Sequence, residues 1–348
     1  MSKTIRIGVV GLGMGRIHIQ KYLTHPQVKV QAVCDADAAL AEKNAKEYGI
    51  PQVFTSYETF LKEAEVDAVS LVVPNFLHHG MVMGALDRGL HILCEKPMAL
   101  NTAEALEMQA RVKESGLKFM IHFNQRFRAE HQYMRRMIAS GDLGPIYYGV
   151  ASWRRMRYIP RFGGWFTDKP RSGGGPLIDL GVHMLDLTRW IMGRPKVVSV
   201  SASTYNHIGG RLAREQGKTF NVEDLASAFI RFDTGATLQL EASWALNFEP
   251  RERIALELSG TMGGLSSVVY DYKETHLGVF REIDGVMTRT EPIRFPLEYE
   301  NAQQHFVNSI LNDTEPDATA EDGVEIMRIL DAAYESAGRG REVEVCRD

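Results

Sequence analysis

The sequence predicts an α/β domain followed by an α+β domain. The first is a doubly wound parallel (Rossmann) sheet; the second is a large, mostly antiparallel open sheet with helices on one face. Three observations lead there. Strand-like and helix-like segments alternate from residue 4 to residue 122, and the glycine-rich turn Gly11-Leu12-Gly13-Met14-Gly15 joins the first strand to the first helix. After about residue 125 the texture changes to short runs separated by Gly, Asn and Asp turns. A chain of 348 residues is long for one layered core and suits two domains, placed at 1–123 and 124–348.

The elements follow in order. Residues 4–10 are rich in β-branched side chains and end on glycine. A helix over 16–23 stops near Pro26, and the apolar strand 28–34 stops at Asp35. Residues 37–48, rich in Ala, Glu and Lys, form a helix with Gly49 as C-cap. A short strand at 53–54, a helix at 57–64, the apolar run 68–73 ending on Pro74, and a helix at 76–88 ending on Gly89 come next. Strand 91–94, helix 102–115 closed by Gly116, and strand 118–122 complete the domain. Continuous apolar strands alternating with helices mean a parallel sheet covered on both faces, wound right-handed. In the second domain, strands are expected at 197–205, 226–232, 236–242, 253–259 and 264–270. Helices are expected at 130–140, 178–192, 301–311 and 320–338, with 205–221 read as a mobile loop.

Composition excludes several classes. With 44 acidic against 40 basic side chains the net charge is -4, so no basic excess points to nucleic acid. No apolar run approaches the roughly 18 residues needed to cross a bilayer, so no membrane partner is expected. The N-terminal apolar stretch is broken by Arg6 and glycines and does not read as a secretory leader. Cys34, Cys94 and Cys346 are too few and too scattered for a disulfide framework or a metal finger, and read as reduced thiols of a cytoplasmic protein.

A turn of this kind has a physical purpose. Glycine permits positive φ and lets the backbone approach a pyrophosphate, while the following helix N-terminus offers N–H groups and the positive end of its dipole. Gly11, Leu12, Gly13, Met14 and Gly15 are therefore expected to bind a dinucleotide. The spacing departs from G-x-G-x-x-G, because the third glycine arrives one residue early and Arg16 stands in its usual place. Asp35, twenty residues after Gly15, is placed to accept the hydroxyls of an adenosine ribose and to repel a 2′-phosphate, favouring NAD over NADP. An acid there also reads as a helix cap, which Asp37 could equally supply.

Lys96 follows a parallel strand at its carboxyl end, where doubly wound sheets put their ligands. Squeezed between nucleotide and substrate, its amine would be partly desolvated and suited to proton handling. Asp179 and His183 are four apart in a predicted helix and so share a face. The imidazole can take a proton from an alcohol, and the aspartate can orient the ring. A buried structural Asp–His pair is the other reading, and no third ligand suggests a metal. The glycines before Asp179 would let the backbone pass close to cofactor and substrate. The basic aromatic stretch 153–158 offers Arg154 and Arg157 as substrate contacts, with Arg126 a further candidate, whereas His122 reads as structural.

Glu95-Lys96-Pro97, the segment leading from Gly173 through Asp179 to His183, the turn from Gly13 to His18 and Pro74-Asn75-Phe76-Leu77-His78 occur in order along the chain. Together they resemble the glucose–fructose oxidoreductase/inositol dehydrogenase/MocA (Gfo/Idh/MocA) family over nearly its whole length. The resemblance implies a dehydrogenase acting on CH–OH groups, with Lys96, Asp179 and His183 catalytic. It assigns Pro74, Asn75, His78, Glu95 and Lys96 to the cofactor, and Asn124, Trp165 and Tyr299 to the neighbourhood of the nicotinamide. It implies a cyclic polyol or sugar substrate and a homodimer or homotetramer formed through the second domain's sheet. A same-fold reductase of a dihydrodiol, imine or enone, or a non-catalytic dinucleotide sensor, are its alternatives.

Overall fold

A computed structural model describes residues 4–295 and 299–345, which leaves Cys346 outside the described residues. The chain divides into two compact units. One runs through Asn124 and also takes in Glu300–Met327; the other comprises Gln125–Tyr299 and the residues from Arg328 onward. The segment Glu300–Met327, which the sequence reading put in the second domain, thus belongs with the first. Its helix Ala302–Leu311 packs beside the first helix and buries Phe306 and Val307 completely.

The first unit contains β1 (Ile5–Val10), α1 (Leu12–Tyr22), β2 (Val28–Cys34), α2 (Ala38–Tyr48), β3 (Gln52–Phe54) and α3 (Tyr57–Glu63). It continues with β4 (Ala68–Leu71), α4 (His78–Asp87), β5 (His91–Cys94), α5 (Thr102–Ser115) and β6 (Phe119–Ile121). The six strands are all parallel, in the order β3-β2-β1-β4-β5-β6. Ile5, Ile7, Val9, Val33, Val69, Leu71 and Ile92 are wholly buried, as strands covered on both faces require. Local chemistry sets the helix ends: Asp37 caps α2 through Leu40 N–H, Asn101 caps α5 through Glu104 N–H, and Gly49 and Gly116 close their helices in the left-handed conformation.

The second unit contains α6 (Ala129–Ala139), β7 (Ile146–Arg155), α7 (Lys169–Ser172), a π turn at Leu177–Gly181, α8 (Val182–Ile191), β8 (Val197–Tyr205) and α9 (His207–Glu215). Then come β9 (Leu225–Phe232), β10 (Thr237–Ser243), β11 (Glu252–Gly260), β12 (Gly264–Tyr270), β13 (Glu274–Ile283), β14 (Val286–Thr290) and β15 (Val343–Glu344). The nine strands order as β14-β13-β12-β11-β7-β10-β9-β8-β15, antiparallel except for the β7–β10 pair. Alternation sorts the side chains. Ala151, Trp153, Leu238, Leu240, Leu256 and Leu258 are buried on the face against which α8 and the π turn pack. Val150, Arg154, Ser201, Ser203, Gln239 and Glu241 line a concavity on the other.

Three expectations are corrected. Residues 205–221 hold the helix α9, whose first turn is fixed by Asp224 Oδ2 accepting the N–H groups of Ile208 (2.7 Å) and Gly209 (2.6 Å). The strands β13, β14 and β15 were not anticipated, and β7 was foreseen only at its end, where 153–158 read as a strand or loop edge. The helix expected at 178–192 begins instead as a π turn, which closes i→i+5 and alters the facing of Asp179 relative to α8. No helix among the described residues is long and apolar enough to cross a membrane.

Candidate active site

In the first unit, the parallel strands bring their carboxyl ends to one edge of the sheet. Gly11 N–H bonds Cys34 O, Val72 N–H bonds Val10 O, Glu95 N–H bonds Leu71 O and His122 N–H bonds Cys94 O. The glycine turn, Asp35, Pro74, Asn75, Glu95, Lys96 and Asn124 therefore gather along that edge, where order reverses between β1 and β4.

The turn fits a dinucleotide despite its shortened spacing. Gly11 has φ +86°, and a Cβ there would lie 2.1 Å from Val72 O. At Gly13 a Cβ would meet nothing within 4 Å, so backbone and open space adjoin where a pyrophosphate must approach. At Gly15 a Cβ would come to 3.0 Å from Val9 Cγ1, so this glycine lets α1 lie close against β1. The three glycines thus sit in three distinct surroundings, the last one residue early. Asp35 Oδ2 accepts Leu12 N–H at 2.7 Å and Oδ1 accepts Asp37 N–H at 2.9 Å. The carboxylate is held at the end of β2, tied to the first turn of α1, while Asp37 caps α2 separately.

His78 and Glu95 are both held by protein partners. His78 is wholly buried, with Nδ1 2.7 Å from Pro97 O and Nε2 2.9 Å from Val73 O. Both ring nitrogens are turned onto the backbone. Glu95 Oε1 receives His18 Nε2 (2.9 Å) and His122 Nδ1 (2.6 Å). Asn124 is exposed at the start of a short 3-10 turn, Asn124–Phe127.

In the second unit, Asp179 lies on the π turn and His183 in the first turn of α8. Asp179 Oδ2 accepts the indole N–H of the fully buried Trp244 at 3.0 Å. Phe166 meets Trp244 edge-on at 6.4 Å and stacks on Trp165 at 3.8 Å. The imidazole of His183, 8% exposed, sits 5.5 Å from the ring of Trp153. Trp153 is itself fixed by Glu252, whose Oε1 accepts Trp153 Nε1 at 2.8 Å and Arg155 Nε at 2.5 Å, and Arg155 also bonds the Tyr272 hydroxyl at 2.9 Å. Sequence reasoning missed Trp153, Arg155, Glu252, Tyr272 and Trp244; the alternation of a strand through 153–155 would have separated Trp153 and Arg155 from Arg154. Tyr299 lies under the Arg136 guanidinium, 5.3 Å from its ring centre.

The glycines before Asp179 approach protein. A Cβ at Gly174 would lie 1.9 Å from the Tyr334 hydroxyl and one at Gly175 2.1 Å from Glu223 O. Glu223 anchors this strip, its Oε1 accepting Leu177 N–H and Tyr334 O–H, each at 3.0 Å, and burial pushes its carboxyl up from the usual range.

Of the arginine candidates, Arg126 is corrected by its burial, and the other two have protein partners. Arg126 is fully buried and forks onto Asp186 at 2.9 and 2.5 Å, so it is a structural ion pair with no surface for a substrate. Arg154 faces the side of the sheet away from His183, paired with Glu241 at 2.6 Å. Arg157 bonds Met156 O, Leu246 O and Asn247, stitching the end of β7 to the 246–247 segment.

Comparison with known proteins identifies the family. The family description "Oxidoreductase family, NAD-binding Rossmann fold" matches residues 5–123, and "GFO/IDH/MocA C-terminal domain" matches 131–266. The chain is 31% identical to D-glucoside 3-dehydrogenase of Escherichia coli K12, covering 99% of this chain and 98% of that one. It is 28% identical to the NAD-dependent scyllo-inositol 2-dehydrogenase of Bacillus subtilis, over 99% and 97%. Levoglucosan dehydrogenase, solved in complex with NADH, superposes with a TM-score of 0.89 at 23% identity, covering 99% of this chain and all of that one. Two matched domains in order and full-length similarity to a dehydrogenase establish that the chain is an NAD-binding oxidoreductase of the Gfo/Idh/MocA family.

Proposed function

We propose that this oxidoreductase interconverts a secondary alcohol and a ketone on the ring of a sugar, glycoside or cyclic polyol, using Lys96, Asp179 and His183. The observation that carries the reading is the second unit's pair of side chains: a His183 imidazole lodged against Trp153, close in sequence to an Asp179 carboxylate aimed by Trp244. Such an imidazole is suited to hold the hydroxyl proton. Asp179 stabilises the proton-bearing ring, and Lys96, at the carboxyl end of β5, polarises the reacting oxygen. Gly11–Gly15, Asp35, Pro74 and Asn75 hold the cofactor, with Trp165, Asn124 and Tyr299 assigned to its nicotinamide half. Bound NAD supplies the hydride acceptor. The substrate class is supported by the relatives, which are named for D-glucosides and scyllo-inositol.

The test is NADH formation with a panel of D-glucosides, scyllo-inositol, levoglucosan and D-xylose, using NAD and NADP. Turnover of a panel member, lost in Lys96→Ala, is the expected result. NADH binding without turnover of any member, or activity unaltered in Lys96→Ala, overturns it.

The protein is further proposed to be a cytoplasmic homodimer or homotetramer, assembled through the sheet face bearing Arg154 and Glu241, with no nucleic-acid partner. The free, buried thiols of Cys34 and Cys94 suit a reducing compartment. Sedimentation of Arg154→Glu against the parent tests the assembly: an unchanged oligomeric state rejects this face.

A further inference from the structure

We propose that His18, Glu95 and His122 form a positioning network beneath Lys96, so that Glu95 serves the reaction by fixing this turn rather than by touching the cofactor. The inference rests on the reading of Lys96 as catalytic. The three side chains come from α1, the end of β5 and the residue after β6, and their ligand atoms lie within 4.8 Å of one another. The two imidazoles are buried, 2% and 9% exposed, with ring centres 4.4 Å apart. Outward, His18 Nδ1 meets Ser70 Oγ on β4 at 2.8 Å, and His122 Nε2 meets Gln303 Nε2 on the helix Ala302–Leu311 at 3.1 Å. Inward, Glu95 Oε2 receives the backbone N–H of Lys96 at 3.3 Å. On the other side of Lys96, Pro97 O is held by His78. The catalytic lysine is thus flanked by two residues that buried histidines hold in place.

One arrangement of protons satisfies every partner with both rings neutral. A carboxylate oxygen only accepts, so His18 presents Nε2–H and His122 presents Nδ1–H to Oε1. The Gln303 amide donates to His122 Nε2, and the Ser70 hydroxyl donates to His18 Nδ1. Every ring nitrogen then has a partner with both imidazoles neutral and Glu95 ionised. Burial holds His18 below its ordinary range and so keeps it neutral. Burial opposes the Glu95 charge, yet the hydrogen bonds donated by His122 and His18 favour the ionised carboxyl and draw it below the usual range. The two histidines are locked as opposite tautomers.

The donor set is also that of a zinc site, but the distances favour hydrogen bonds. Ligand atoms around a tetrahedral zinc stand roughly 3.3 Å apart, whereas the two nitrogens lie 2.9 and 2.6 Å from the same oxygen.

Two measurements decide. In the 15N spectrum of histidine-labelled protein, His18 is expected as the neutral Nε2–H form and His122 as the neutral Nδ1–H form at pH 7; a charged ring, the opposite tautomers, or a stoichiometric rise in Tm on adding zinc overturns the network. In kinetics with NAD and methyl D-glucoside, Glu95→Gln is expected to lower kcat roughly 10- to 100-fold and shift its pH profile, with the NADH Kd within about threefold. His122→Asn, which keeps a donor at the Nδ1 position, should retain kcat within about threefold, while His122→Leu should fall with Glu95→Gln. A tenfold weaker NADH Kd at unchanged kcat in Glu95→Gln, or equal activity of the two His122 variants, overturns the proposal. Lys96→Met separates the two readings: full activity there sinks the role of Lys96 itself, whereas its loss beside a fully active Glu95→Gln sinks only the network.

Discussion

The carboxylate of Asp179 accepts the indole N–H of Trp244 at 3.0 Å, and the indole has no exposed surface. One Asp179 oxygen is therefore oriented by β10's end rather than by α8. Trp244→Phe removes that donor, and kcat is expected to fall by about tenfold with NADH affinity unchanged. His183→Ala should cost roughly 10²–10⁴-fold in turnover, again with cofactor binding near intact. Stopped-flow turnover beside NADH fluorescence titration checks both; unchanged turnover in His183→Ala removes it from the reaction.

The glycine turn separates binding from folding. Gly13→Ala meets no atom in the protein and lies in α1, so it should leave the unliganded protein as stable or about 0.5 kcal/mol more so. It should nonetheless weaken NAD binding more than tenfold, because the new methyl occupies the cofactor's approach. Gly11→Ala forces a methyl onto Val72 O at a positive φ and should cost about 2 kcal/mol or more. Thermal denaturation with and without NADH distinguishes the pair.

Asp35 holds two backbone N–H groups as well as facing the cofactor edge. Asp35→Ser should therefore lower stability by about 1 kcal/mol. It should also weaken NAD and improve tolerance of NADP. A stability loss with unmoved cofactor preference would make Asp35 a cap alone.

The buried fork of Arg126 on Asp186 predicts a stability phenotype. Arg126→Met leaves a carboxylate without its guanidinium in the interior and should cost about 3–5 kcal/mol, with turnover per folded molecule unchanged. Urea denaturation paired with an active-site titration reads both quantities.

Acid should destabilise the fold before its carboxylates titrate. Burial lowers His131 to about 4, although Glu130 and its bond to Gln125 O work the other way. In the unfolded chain the same ring titrates near 6.5. Between pH 6.5 and about 4 the unfolded state binds the extra proton, so this group's contribution is present above 6.5 and is lost as pH falls, at up to about 1.4 kcal/mol per pH unit. His18 acts in the same direction. A Tm that does not fall between pH 7 and pH 5 contradicts the burial of these rings.

The Rossmann half was legible because its strands are continuous apolar runs and its helices carry their own caps, as Asp37, Asn101, Gly49 and Gly116 illustrate. The second half was less so for physical reasons. The start of α9 depends on Asp224, fifteen residues beyond Gly209, and its adjacent Gly209 and Gly210 read as loop. The strand β7 ends in Trp153-Arg154-Arg155, whose charges mask a buried indole between neighbours of opposite facing. The close passage of Gly174 and Gly175 was foreseen, but not their protein neighbours Tyr334 and Glu223, which come from distant parts of the chain. Lys96 follows the expected strand and His183 lies on the expected helix, whereas Asp179 sits on a π turn; Trp244 and Glu252, which fix Asp179 and Trp153, belong to no motif.

The strand β7 carries Trp153 toward His183 and Arg154 toward the opposite side of the sheet. Inserting or deleting one residue within it would exchange these two sides at a stroke, burying a guanidinium against α8 and baring an indole. Its length is therefore frozen. Change in this strand is confined to substitution, and alternate positions are free to drift under separate pressures although they share a single run of peptide.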